Sequence, residues 1–226
     1  MKYFVTGTDT EIGKTTVTVG LVSAVVKAGF SCVGLKPVAA GQDFVGDTWI
    51  NEDVLRLSQV CQPAIDTQLI CSHQFRTPCA PKIAAELEGK VIDRAVVLEQ
   101  LNAAMDTAQY AFIEGVGGFN IPLSADWTTA DLAVDLNCPV ILVVGLRLGC
   151  VNHAVLTREA ILSRGLKLAG WVANEVDPNF GFVDENVESL KGCLDVPCLG
   201  RVPFMSERPD QIGAGIFQLE SLLPPR

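Results

Sequence analysis

The sequence predicts an α/β fold, a parallel sheet with helices on both faces, and three observations carry that prediction. The segment Gly7-Thr8-Asp9-Thr10-Glu11-Ile12-Gly13-Lys14-Thr15 fits the pattern G-x-x-x-x-G-K-[ST] in full, the signature of P-loop NTPases. A strand-like apolar run enters that loop and a helical pattern leaves it. Further along, short runs that are apolar almost throughout alternate with longer segments of helical period. Strands buried on both faces read in this way.

The elements follow in chain order. Lys2 to Thr6 reads as the first strand and Thr15 to Ala28 as the helix after the loop. Ser31 to Lys36 is a second strand. Residues 37 to 52, with Gly41, Gly46 and several polar side chains, read as loop, and Asp53 to Val60 as helix. Pro63 and Pro78 punctuate an irregular stretch from 61 to 79. Pro81 to Glu88 and Asp93 to Ala108 read as helices, the first opening with a proline, whose fixed φ suits a first helical turn. Tyr110 to Glu114 is a third strand, Val140 to Val144 a fourth, Lys167 to Asn174 a fifth and Leu199 to Val202 a short sixth. One more helix is expected over Asn152 to Arg164 and another near the C-terminus. No repeat, low-complexity tract or long linker interrupts the chain, so one domain is expected over residues 1–226.

Composition narrows the function classes. At 226 residues the chain is long enough to bury a sizeable core. Its formal net charge of −9 argues against nucleic acid or an anionic membrane as a partner. Mean hydropathy is +0.32, yet no run approaches the ~18 apolar residues of a membrane span. The N-terminus passes directly from Met1-Lys2 into the first strand, so no signal peptide is expected. The 8 cysteines include no CxxC pair, and a chain of this size and apolarity needs no disulfide staples. A cytoplasmic location is expected, with most cysteines acting as small buried hydrophobes. His73 and His153 do not have the spacing of zinc ligands.

The phosphate loop sets the chemistry to look for. Its backbone N–H groups and the following helix N-terminus can surround phosphate oxygens. Lys14 brings positive charge to the outer phosphates, and the Thr15 hydroxyl can ligate Mg²⁺. Such a site also needs carboxylates. Glu114 ends a strand where the carboxyl edge of a sheet faces its ligand, and Gly115-Val116-Gly117-Gly118 follows it. Asp53 is a second candidate, although taken alone it reads more readily as a helix-capping or first-turn carboxylate. Lys36 closes the second strand at the same sheet edge, as either a site cation or a solvated strand-end lysine. Asn174 closes the fifth strand, where its amide can pair with adenine N6 and N7 or simply form a turn.

Together these residues resemble the dethiobiotin synthetase family over nearly the whole chain. The matching segments are residues 3–15, Gly-Leu-Lys-Pro-Val-Ala-Ala-Gly at 34–41, Glu-Gly-Val-Gly-Gly at 114–118, Val-Gly-Leu-Arg-Leu-Gly-Cys-Val-Asn-His-Ala at 144–154, and Ala-Gly-Trp-Val-Ala-Asn at 169–174. The resemblance implies an ATP-dependent cyclo-ligase of biotin biosynthesis, which joins CO₂ to 7,8-diaminononanoate through a carbamate and a carbamic-phosphoric anhydride. It implies Mg²⁺ on Thr15, Asp53 and Glu114, and Lys14 and Thr10 at the transferring phosphate. It assigns Lys36 a catalytic role, read here as electrostatic stabilisation of the carbamate and the transition state. Glu11, Ile12, Gly13, Lys14, Thr15 and Thr16 would line the nucleotide, with Asp53, Glu114, Gly115, Val116 and Gly117. Asn174 and Glu175 would meet the adenine, and Pro203, Phe204, Met205 and Asp210 would close over that side. Lys36, Ala40, Gly149, Cys150 and Asn152 would meet the diamine, the last three across a homodimer interface.

One position departs from the family pattern. Ala40 stands where Lys-Pro-Val-Ala-Ser-Gly has a serine, so a hydroxyl contact worth about 0.5–1.5 kcal/mol is missing. Cys150 has only His153 nearby in sequence as a base for a nucleophilic role. Three other readings compete. A cobyrinate-type amide synthetase usually carries a glutaminase domain, for which this length leaves no room. A ParA- or MinD-like ATPase switch has a second lysine just after the first loop glycine, where this chain has Thr8, and the sequence has no basic amphipathic terminal helix. A homologue reduced to a binding module is opposed by intact Lys14, Lys36, Asp53 and Glu114.

Overall fold

Runs such as Tyr110–Glu114 and Val140–Leu146 carry no polar face to offer water, and every residue of both is buried. The computed structural model describes residues 1–205 and 214–223. In chain order it contains β1 (Lys2–Gly7), α1 (Lys14–Lys27), β2 (Cys32–Leu35), β3 (Val38–Ala40), β4 (Asp43–Val45), β5 (Thr48–Ile50), α2 (Glu52–Val60), α3 (Thr67–Ile70), β6 (His73–Phe75), α4 (Pro81–Leu87), α5 (Arg94–Met105), β7 (Tyr110–Glu114), α6 (Thr129–Leu136), β8 (Val140–Leu146), α7 (Cys150–Ser163), β9 (Leu168–Glu175), α8 (Val183–Leu194) and β10 (Cys198–Val202). A 3₁₀ turn follows at Ala214–Ile216. Six strands form one sheet in the order β10-β9-β8-β1-β7-β2, with every neighbouring pair parallel.

The period-two alternation of strand side chains divides the core between the two faces. Tyr3, Val5, Phe112, Ile141, Val143 and Val172 point to one side, where they meet Val17, Leu21 and Val25 of α1. Phe4, Ala111, Ile113, Val140, Leu142, Val144 and Trp171 point to the other, toward Val97 and Leu101 of α5, Leu132 of α6 and Leu190 of α8. The C-terminal segment closes the α1 side. Phe217 and Leu222 are buried there, and the Tyr3 hydroxyl donates to the Leu222 carbonyl at 3.1 Å. No helix among the described residues is long and apolar enough to cross a membrane.

The six sheet strands fall where the sequence places them. The region 37–52 does not stay a loop. β3 pairs with β6 in parallel, Val38 opposite His73, and β4 and β5 form an antiparallel hairpin. Gly46 and Asp47 both take positive φ (50° and 68°), the two-residue turn whose twist matches that of the flanking strands. Phe44 packs on Trp49 across the hairpin at 5.2 Å, and the Arg76 guanidinium lies over the Trp49 ring at 4.6 Å. Three helices were not anticipated, the short α3 within the stretch read as irregular, α6 and α8. Thr128 and Asp131 form a reciprocal capping box that opens α6, and Val187, Leu190 and Leu194 give α8 its buried stripe. The helix expected near the C-terminus is only the 3₁₀ turn among the described residues. All eight cysteines are free, five of them buried.

Phe4 sits at the centre of the sheet and is fully buried. Phe4→Ala should therefore lower the unfolding free energy by about 3–5 kcal/mol, read as a fall in urea midpoint with unchanged slope.

Candidate active site

β1 lies in the middle of the sheet, between β8 and β7, so the loop that leaves it opens where strands depart to either side. The loop is pinned from both directions. Thr8 N–H donates to the Val143 carbonyl at 3.1 Å, and the Asn174 amide donates to the Ile12 carbonyl at 2.8 Å. Gly13 takes φ +77°, and a Cβ there would stand 2.1 Å from that Asn174 nitrogen. The G-K-T glycine is therefore required twice, by its backbone and by its neighbour. Lys14 Nζ donates to the Asp9 carbonyl at 2.8 Å, which holds it across the loop mouth. The Asp9 carboxylate accepts from Thr10 N–H at 2.8 Å and forms an ion pair with Arg147. Burial pulls the Lys14 ammonium down to about 8, in spite of the nearby Glu114 carboxylate. Bound phosphates would raise it again.

Beside the loop lies a cluster drawn from four elements. Lys36 follows β2, Glu114 ends β7, Asp53 stands in the first turn of α2, and Thr15 opens α1. Lys36 Nζ pairs with Glu114 Oε1 at 2.9 Å and with Asp53, and lies 3.5 Å from Thr15 Oγ1. The Thr15 hydroxyl donates to Glu114 Oε1 at 2.7 Å. Burial alone would make Lys36 release its proton. The Glu114 and Asp53 carboxylates outweigh burial and hold its pKa above the usual lysine value. Burial likewise works to raise the Asp53 carboxyl, and the Lys36 ammonium prevails and holds it below the ordinary carboxylate value. Asn51 caps α2 by accepting from Val54 N–H, so Asp53 is free of that duty and faces the cluster. Lys36 is 6% exposed, which removes its reading as a solvated strand-end lysine.

Loop and cluster line one cleft of about 910 Å³. Thr10, Glu11, Gly13, Lys14, Thr15, Thr16, Lys36, Ala40, Asp53, Glu114, Val116, Gly117, Asn174, Glu175, Pro203, Phe204 and Met205 all reach it. Ile12 instead fills the core beneath the loop, and Gly115 is tied by its N–H to the Val5 carbonyl. Asp210 lies outside the described residues. Gly149, Cys150 and Asn152 stand at the N-terminus of α7 and do not line the cleft. Cys150 is buried with its thiol toward Asn186, and His153 is exposed, so the two do not make a nucleophile pair.

Sequence reasoning missed Arg56, Pro78, Cys79, Ala80, Pro81, Ile121 and Val176, which also line the cleft. Arg56 stands three residues after Asp53 on a helix and so shares its face, the one local hint of its place, although its burial comes from the fold. The Pro78–Pro81 wall comes from a segment whose path nothing local determines.

This is the fold and phosphate site of a P-loop NTPase. Solved structures of the same fold include a ParA family ATPase from Chlorobium tepidum TLS (TM-score 0.54, 12% identity, 91% of this chain and 85% of that one). The MinC:MinD cell division protein complex of Aquifex aeolicus is similar as well (TM-score 0.54, 15% identity, 91% and 82%). A family model described as an AAA domain matches residues 1–209. The ATP-dependent dethiobiotin synthetase BioD of Aromatoleum aromaticum is 46% identical over 217 residues, covering 95% of this chain and 96% of that one. That of Janthinobacterium sp. (strain Marseille) is 46% identical over 207 residues, covering 90% and 88%. The chain belongs to the ATP-dependent dethiobiotin synthetase family.

Gly13→Ala places a methyl group on the Asn174 amide in a backbone region that costs a non-glycine residue about 1–3 kcal/mol. ADP binding measured by calorimetry should weaken by about tenfold or more, the loss expected for one charge-assisted backbone contact.

Proposed function

We infer that the chain makes dethiobiotin from 7,8-diaminononanoate, CO₂ and ATP, and that the cleft just described is where it does so. The observation that carries this reading is the buried Lys36 ammonium, held between Glu114 and Asp53 against the phosphate loop. The reaction brings one anion, a carbamate, up to another, the terminal phosphate of ATP. A site for it must provide fixed positive charge where the two meet. Lys14, held by the Asp9 carbonyl, and Lys36, beside Thr15, provide that charge.

The donors suit Mg²⁺. Thr15, Asp53 and Glu114 present hard oxygens, and Glu114 Oε2 is buried with no hydrogen-bond partner among the described residues. Mg²⁺ held there would neutralise phosphate charge and orient the transferred group. Its carboxylate ligands are the same two groups that now hold Lys36. Their engagement would leave the lysine ammonium to face the incoming carbamate.

In the reaction proposed, one amine of the diamine bonds to CO₂ and loses a proton, giving the carbamate. A carbamate oxygen attacks the terminal phosphorus and ADP departs, leaving the carbamic-phosphoric anhydride. The second amine then attacks the carbonyl carbon, phosphate leaves and the ureido ring closes. Lys14 and Thr10 attend the moving phosphoryl group, and Lys36 attends the carbamate. Asn174 spends one N–H on Ile12, which leaves its carbonyl oxygen and second N–H for adenine N6 and N7. Glu175 and Pro203 to Met205 border the same end. Ala40 lines the diamine side without a hydroxyl.

The α7 segment with Gly149, Cys150 and Asn152 does not reach the cleft of its own chain. A homodimer in which one copy offers this helix N-terminus to the diamine carboxylate bound in the other accounts for its position. Eight free thiols suit a reducing cytoplasm.

The first test is phosphate release from Mg·ATP with bicarbonate, with and without 7,8-diaminononanoate, alongside mass detection of the product. Diamine-dependent release with ring-closed dethiobiotin is expected. Release indifferent to the diamine would sink the assignment and favour an ATPase switch. Lys36→Ala should lower turnover by about 10²–10³-fold, the usual loss for one preorganised electrostatic group. EDTA should abolish turnover, and Glu114→Gln should raise the Mg²⁺ concentration needed for half-maximal rate.

A further inference from the structure

Among the described residues Arg56 is the one arginine that lines the cleft, and none of the roles given above uses it. The residue is 6% exposed, an unusual burial for a side chain this costly to desolvate. It projects from α2 one turn beyond Asp53, and Nη1 donates to Thr16 Oγ1 at 3.3 Å. Thr16 is the third residue of α1, in the first turn of the helix whose N-terminal amides point into the phosphate site. Lys14 and Thr15, which precede it, serve the outer phosphates and the metal. The guanidinium is therefore anchored one residue further into α1, at Thr16, whereas Lys14 reaches back to the Asp9 carbonyl and Lys36 meets Thr15, Asp53 and Glu114.

We propose that Arg56 is a nucleotide-binding residue, holding the inner (α) phosphate together with the Thr16 hydroxyl. The proposal rests on the nucleotide site inferred above, though not on the identity of the diamine. A planar guanidinium suits this position, since it can bond the threonine oxygen through one N–H and a phosphate oxygen through another. The contact is made alike to a mono-, di- or triphosphate. It supports binding of the nucleotide rather than transfer of its terminal group.

The test is calorimetric titration of Arg56→Gln and Arg56→Lys with AMP, ADP and ATP in the presence of Mg²⁺ and without diamine or bicarbonate. Arg56→Gln should weaken all three nucleotides by a common factor of about tenfold to a hundredfold, the span for one charge-assisted hydrogen bond. Arg56→Lys, which keeps the charge and loses the fork, should fall between. In turnover assays KM for ATP should rise by the factor seen in binding, and KM for the diamine should not move. Unchanged affinities with a lowered Tm would reduce Arg56 to a packing role and overturn the proposal. Loss confined to ATP would overturn it as well, by placing the guanidinium at the terminal phosphate. If Arg56→Gln does not fold, Arg56→Lys decides by the same comparison. Because binding is read without the second substrate, a chain that bound nucleotide through Arg56 yet made no dethiobiotin would fail only the earlier reading.

Discussion

A lysine ammonium buried between two carboxylates ties this structure together at its working edge. Lys36 comes from β2, Glu114 from β7, Asp53 from α2, and the threonine hydroxyl beside them from α1. A buried charge without a partner is among the most expensive features a fold can carry, and stripping one partner from such a pair costs about 3–5 kcal/mol. The three charged groups therefore require one another, and the elements that bear them are held in register by that requirement. Such a cluster adds little net stability over an apolar replacement of the same volume. Its value lies in geometry, since it fixes a cation and two hard-oxygen acceptors within hydrogen-bond distance beside a phosphate loop.

The other half of the sheet contributes by a different means. β8 and β9 hold the loop by backbone and amide contacts, Val143 to Thr8 and Asn174 to Ile12, with no charge involved. Loop conformation and charge placement are thus supported from opposite sides of β1. The close fit of Asn174 on Gly13 joins the end of β9 to the phosphate loop, so the two share one rigid reference. Preorganisation of this kind is what a positioning enzyme needs, because phosphoryl transfer asks for alignment and charge rather than covalent help.

What the sequence disclosed follows from how local each signal is. The phosphate loop and the six sheet strands are written in contiguous residues, and they lie where they were read. Asp53 and Glu114 could be picked out as carboxylates at plausible edges, but only the fold brings them to the same lysine. The hairpin at residues 43–50 hid behind exposed apolar side chains and a turn that reads as loop composition, although Gly46-Asp47 was a usable signal. α8 was missed because its buried residues, Val187, Leu190 and Leu194, lie among charged neighbours that dilute the pattern. Arg56 was missed for a different reason. A helix arginine is solvated by default, and only the approach of α2 to the start of α1 buries it against Thr16.

Fold likeness alone would have left the function open, since a ParA family ATPase and a MinC:MinD cell division protein complex share the fold. The distinction lies in what stands around the loop. Thr8 occupies the place where the switch ATPases have a second lysine, so the additional cations here must come from elsewhere in the chain. They come from Lys36, which follows β2 beyond β7, and from Arg56 on α2, which reaches Thr16 at the start of α1. They border an open cleft of about 910 Å³ beside the phosphate loop. A switch ATPase needs its nucleotide to change a surface. A ligase needs two anions held together out of water, and the residues that surround this cleft meet the second demand.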